Sequence, residues 1–159
     1  MTASDWMLPE EAFAFLRARL LPVMNPTVVE LGSGEGTLRL RQMAHVVSIE
    51  HDEAYLRAGP GAHFIHAPIE RGWYSSAAIR GKLPDRYDCL VVDGPPGVIG
   101  RAGLLEHLDL FLPVPLLVDD VHRSAERELA IALARRRGTG LSVHYLASGR
   151  AFATIGWPP

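Results

Sequence analysis

A chain of 159 residues, 48% hydrophobic and 21% charged, has the size and make-up of one globular domain that buries a core without cross-links. Its formal net charge of -2 gives no electrostatic reason to expect nucleic acid or an anionic membrane surface as partner, and no run approaches the roughly 18 apolar residues of a membrane span. The single cysteine, Cys89, excludes an internal disulfide, and its place in the apolar run YDCLVVDG reads as a small buried side chain. The N-terminal MTASDWMLPEEAF has neither a basic leader nor an apolar signal core, so a cytoplasmic protein is expected.

Residues 1–25 read as a helical extension: Pro9 opens a helix with Phe13, Leu16 and Leu20 on one side, which ends before Pro22. Thr27–Leu31 is the first strand, Thr37–Gln42 a short helix and His45–Glu50 the second strand. Asp52–Ala58 reads as a helix with Asp52 as N-cap and Gly59-Pro60 as its stop. Ala62–Ala67 is the third strand, Tyr74–Lys82 a helix, Tyr87–Gly94 the fourth strand and Ala102–Leu108 a helix. Pro115–Asp120 is the fifth strand, followed by a long helix over Ser124–Arg137 with Leu129, Ala132 and Leu133 inward and glycines after it. LSVHYLA and AFATIGW, separated only by Ser148-Gly149-Arg150, form a hairpin.

Strands alternating with helices, and strands that are apolar throughout, call for a parallel sheet covered on both faces, with the hairpin as an antiparallel edge. In such sheets ligands bind beyond the carboxyl ends of the strands. The acids of this chain stand there: Glu30, Glu50, Asp93, Asp119 and Asp120.

VVELGSGEGT opens the first of these ends. A dinucleotide loop needs a third glycine where Thr37 stands, and Glu35 would oppose a pyrophosphate at the helix start. Glu50, sixteen residues past Gly34, stands where a carboxylate accepts the hydroxyls of a ribose. An adenosyl ligand without phosphates fits both features, and S-adenosylmethionine is such a ligand.

With VVSIEHDEAYL, YDCLVVDGPPG and PLLVDDVHR following in order, the chain resembles the class I S-adenosylmethionine-dependent methyltransferases from about Pro26 to Trp157. The resemblance implies a Rossmann-like, doubly wound α/β sheet of seven strands in the order 3-2-1-4-5-7-6, in one domain spanning residues 1–159. It assigns Glu30, Gly32, Ser33 and Gly34 to the methionine part of S-adenosylmethionine, Glu50 to its ribose, His51, Ala67 and Pro68 to its adenine, and Asp93 to its amino group or the reacting centre. Asp93, Asp119 and Asp120 also resemble the Mg²⁺ ligands of cation-dependent O-methyltransferases; capping of the helix that follows is the other reading of the pair. DGPPGVIGR with VDDVHR resembles methyltransferases of polysaccharide hydroxyls as well, for which Asp93, Asp119 and His122 are the catalytic candidates and His122 the base.

The expected acceptor is a small-molecule or glycan hydroxyl, and Arg101 and Arg123 flank the proposed mouth as grips for an anionic group or as salt-bridge partners. Trp6, Trp73 and Trp157 are candidate anchors of a homodimer, or pack on their own domain. Two further readings stay open: an adenosyl-binding protein without turnover, and a nicotinamide oxidoreductase, which the missing glycine and Glu35 disfavour.

Overall fold

The computed structural model describes residues 7–56 and 62–158. Strands β1 (Thr27–Leu31), β2 (His45–Glu50), β3 (Ala62–His66), β6 (Cys89–Val92), β7 (Leu116–Val118), β8 (Leu141–Tyr145) and β9 (Ala151–Ile155) form one sheet in the order β3-β2-β1-β6-β7-β9-β8. The first five run parallel, and β9 is antiparallel to both β7 and β8. Omitting the separate hairpin of β4 (Ile69–Glu70) and β5 (Trp73–Tyr74), this is the expected order. The strand order reverses between β1 and β6, so the loops after these two strands diverge and leave a cleft.

Successive residues of each strand serve opposite faces. Val29, Leu31, Leu90 and Val92 join the core under α4 (Ser124–Arg137), where Leu129, Ala130 and Leu133 pack. Val28, Cys89, Val91 and Leu117 join the core under α1 (Glu10–Leu20), where Phe13, Leu16 and Leu20 pack. Both helices have the expected extents, although Ala130 and Ala134 rather than Ala132 are fully buried on α4. Gly138 ends α4 in the left-handed conformation, φ 62°, and its N–H bonds back into the last turn.

The shorter helices differ from expectation. The glycine loop feeds α2 (Glu35–Leu40), which starts two residues earlier than read because Thr37 Oγ1 accepts from the Gly34 N–H and closes the first turn. Asp52 does cap, accepting from Ala54 N–H, but among the described residues a 3-10 turn at Glu53–Tyr55 follows in place of the α-helix. The remainder of that expected helix, with its Gly59-Pro60 stop, lies outside the described residues. Tyr74 belongs to β5, and Ser75 precedes a single turn, α3 (Ser76–Ile79). Residues 102–110 make two 3-10 turns, Ala102–Leu105 and Leu108–Leu110.

Trp73 is 2% exposed and stacks on His107, so it packs on its own domain. Trp157 donates to Leu116 O and meets Phe15 edge to face, while Trp6 lies outside the described residues. Among the described residues no helix is long and apolar enough to cross a membrane.

Candidate functional site

A cavity of about 350 Å³ opens at the carboxyl ends of β1, β2, β6 and β7. Of the residues read from the sequence, Gly32, Ser33, Gly34, Glu50, His51, Asp93, Asp119 and Asp120 line it. Glu30, Ala67, Pro68 and His122 do not, and each has a physical reason.

Glu30 is 3% exposed beneath the glycine loop, where its Oε2 accepts from Ser48 Oγ at 2.6 Å and Thr37 Oγ1 at 2.7 Å. Burial pushes its carboxyl up to about 7. It supports the loop through Thr37, which in turn holds the Gly34 N–H. Ala67 continues the β2–β3 ladder through its bond to Glu50 O, and Pro68 O accepts from Ser75 N–H, so this loop is committed to the β4–β5 hairpin. His122 sits in the turn closed by Arg123 N–H on Asp120 O, which gives residues 120 and 123, not 122, to the cavity wall.

The cofactor half is built on Glu50. Its Oε1 accepts from the N–H groups of His51 and Asp52 at 2.7 and 2.8 Å, and its Oε2 from Ser33 N–H at 2.8 Å and Ser33 Oγ at 3.2 Å. Ser33 Oγ also lies 2.9 Å from Tyr55 O. One hydroxyl proton serves two acceptors, so turning it fully to Tyr55 frees a lone pair of Glu50 for a ligand hydroxyl. Tyr55, exposed on the loop after β2, also lines the cavity and was not anticipated.

The floor depends on two glycines meeting across the switch point. A Cβ on Gly94 would lie 2.8 Å from Gly32 Cα, 2.9 Å from Gly32 N, and against the Tyr74 hydroxyl. Gly32 itself has φ 89°, which an L side chain rarely adopts. The Tyr74 hydroxyl, sealed below, has no hydrogen-bond partner among the described residues.

The other half holds three acids and three arginines. One carboxylate oxygen from each of Asp93, Asp119 and Asp120 falls within 4.8 Å of the others. Arg101, 5% exposed, donates to the carbonyls of Asp93 and Asp119 at 2.7 and 3.0 Å and to Asp120 Oδ2 at 3.1 Å. Arg123 reaches the same Asp120 oxygen at 3.1 Å, and Arg150 reaches Asp119 Oδ2 at 2.8 Å. Asp119 Oδ1 is buried and makes no hydrogen bond within normal geometry among the described residues. Burial and the neighbouring Asp120 push the Asp119 carboxyl up to about 6, while burial and Asp119 hold Asp93 well above the ordinary carboxylate range.

Arg150 was not singled out from the sequence, yet its position was readable. Because β9 runs antiparallel beside β7, the residue before β9 must stand at the carboxyl end of β7.

No family model and no curated protein sequence matches this chain. Solved structures do. A precorrin-6Y C5,15-methyltransferase from Geobacter metallireducens is 14% identical and superposes over 99% of this chain and 94% of its own with a TM-score of 0.66. The chain shares the fold of that methyltransferase. An O-methyltransferase from Streptomyces achromogenes involved in tomaymycin synthesis, solved with S-adenosylmethionine, is 14% identical over 98% of this chain and 83% of its own, TM-score 0.63. A methyltransferase from Geobacter sulfurreducens is 14% identical over 95% and 81%, TM-score 0.62. In the fold shared with these structures the seven-stranded sheet with its antiparallel edge carries the cavity where the strand order reverses.

Proposed function

We propose that the protein is an S-adenosylmethionine-dependent methyltransferase acting on a hydroxyl of a small molecule or glycan. The fold supports methyl transfer, and the glycine loop with Glu50 suits an adenosyl group: a carboxylate for the ribose, no side chain on Gly34 to fill the cavity, and acids around a cationic sulfonium. The observation that carries the choice of oxygen is Asp119. Arg150 holds one of its oxygens, and the other makes no hydrogen bond within normal geometry among the described residues, in a carboxyl whose raised affinity for protons suits a general base. With its side chain turned so that Oδ1 meets the cavity, Asp119 would take the proton of an acceptor hydroxyl as that oxygen bonds to the methyl carbon. The electrons of the methyl–sulfur bond would leave with a neutral thioether.

Mg²⁺ is a second reading, favoured by the convergence of oxygens from Asp93, Asp119 and Asp120. The donor set suits the ion, but Arg101, Arg123 and Arg150 already supply three positive charges to the same carboxylates, so the fit is poor. Calorimetry with S-adenosylmethionine, S-adenosylhomocysteine and NAD, then labelled-methyl transfer to phenols and sugars with Mg²⁺ or a chelator, tests both readings. Binding of NAD alone would sink the first, and equal turnover in chelator would sink the second. Cofactor binding without turnover on any acceptor would favour a non-catalytic adenosyl-binding protein.

A further inference from the structure

We propose that the methyl acceptor carries a carboxylate or phosphate group, and that Arg123, backed by Arg150, holds this anion at the outer rim of the cavity. The inference rests on the methyltransferase reading and adds to it the chemistry of the acceptor.

The three guanidiniums differ in how much of each is spent. Arg101, its side chain 4% exposed, uses its donors on the Asp93, Pro95 and Asp119 carbonyls and on Asp120, which makes it part of the frame. The Arg123 side chain is 47% exposed, lines the cavity, and has one ion-pair contact among the described residues, Nη1 to Asp120 Oδ2. Its remaining N–H groups form the planar fork that suits a carboxylate or phosphate. Arg150 lies 3.6 Å from the opposite oxygen of the same carboxylate, so Asp120 spaces the two cations side by side.

The backbone is bent to achieve this. Asp120 adopts φ 61°, a left-handed conformation that costs energy outside glycine and that concentrates at functional sites. The resulting turn, closed by Arg123 N–H on Asp120 O, presents Arg123 to the cavity. Opposite it stands Gly97, where a Cβ would come within 3.2 Å of Arg123 Nη1. Nearby Glu126 is buried and does not line the cavity. Three guanidiniums stand among the three carboxylates of this half, and the exposed one, Arg123, lines the cavity beside the proposed base. A hydroxy acid or sugar phosphate satisfies both.

The test uses the whole protein saturated with S-adenosylhomocysteine, titrated with inorganic phosphate, with 4-hydroxybenzoate and with its uncharged counterpart 4-hydroxybenzyl alcohol. Saturable binding of phosphate and of 4-hydroxybenzoate is expected, the latter at least tenfold tighter than the alcohol. Both should weaken at least tenfold in Arg123→Gln and recover in part in Arg123→Lys, with S-adenosylhomocysteine affinity changed less than twofold. Equal binding of acid and alcohol, or anion binding undiminished in Arg123→Gln, overturns the proposal. So does an equal loss of S-adenosylhomocysteine affinity, which would give Arg123 to the carboxylate of the cofactor instead. Failure to bind S-adenosylhomocysteine at all would refute the methyltransferase reading alone, and phosphate titration of the unloaded protein would still decide the role of Arg123.

Discussion

Replacing Glu30 by Gln should stabilise this protein at alkaline pH and leave it nearly unchanged in acid. Glu30 is buried, and its carboxyl is raised from 4.5 to about 7, chiefly by loss of hydration. A folded-state pKa raised in this way means that the native state holds its proton after the unfolded chain has released it. Below 4.5 both states are protonated and the residue costs nothing. Stability then falls as pH rises from 4.5 to 7, and the cost is constant above. At 1.36 kcal/mol per pH unit the full cost is about 3 kcal/mol, of which about 2.5 kcal/mol develops between pH 5 and pH 8. Gln keeps an oxygen to accept from Ser48 Oγ and Thr37 Oγ1, so the bonds supporting the loop survive while the titration is removed. Urea unfolding of both proteins at pH 5 and pH 8 measures it. If the stability difference between variant and parent is the same at the two values, the burial argument for Glu30 is wrong.

Other substitutions probe the site itself. Gly94→Ala forces a Cβ to within 2.8 Å of Gly32 Cα, and backbone on that side has no rotamer by which to escape; a loss of about 1–3 kcal/mol by chemical denaturation is expected, with weaker cofactor binding. Glu50→Ala removes the acceptor for the Ser33, His51 and Asp52 N–H groups, and calorimetry should find S-adenosylmethionine affinity lowered about tenfold to a hundredfold. Asp119→Asn should lower kcat by about 10²–10⁴ with cofactor affinity retained. In the parent protein kcat/KM should rise with pH through about 6, as Asp119 loses its proton, and that limb should be absent in Asp119→Asn.

What the sequence revealed and what it hid have different physical origins. The strands and the two long helices were legible because each buries a continuous or periodic apolar face; Thr27–Leu31, His45–Glu50 and Ser124–Arg137 have the bounds their patterns suggest. Residues 52–58 and 102–110 carry helix-forming residues, but only 3-10 turns form among those described. The β4–β5 hairpin turns at Arg71-Gly72, both with positive φ, without the Asn-Gly or Asp-Gly pair that announces such turns. In the site, positions at strand ends were readable because topology puts them on one rim. Whether a side chain faces the cavity or the layer beneath was not, since that depends on turns of one residue. Glu30 went under the loop to Thr37, and His122 yielded its place to Asp120 and Arg123.

The arginine before the last strand ties the ends of the chain together. Arg150 bonds Asp119 with one nitrogen and, with another, the carbonyl of Met7, 143 residues away. A chain still lacking β9 would therefore have the loop of glycines, Glu50 and the acids, but Asp119 would lose the cation that offsets its burial. The half of the pocket proposed for the cofactor draws on residues 32–55 with Gly94 beneath them, whereas the half proposed for the acceptor also needs Arg150 of the C-terminal hairpin. The two proposed competences, to bind and to react, thus draw on different parts of the chain, and the second depends on the hairpin that pairs with β7.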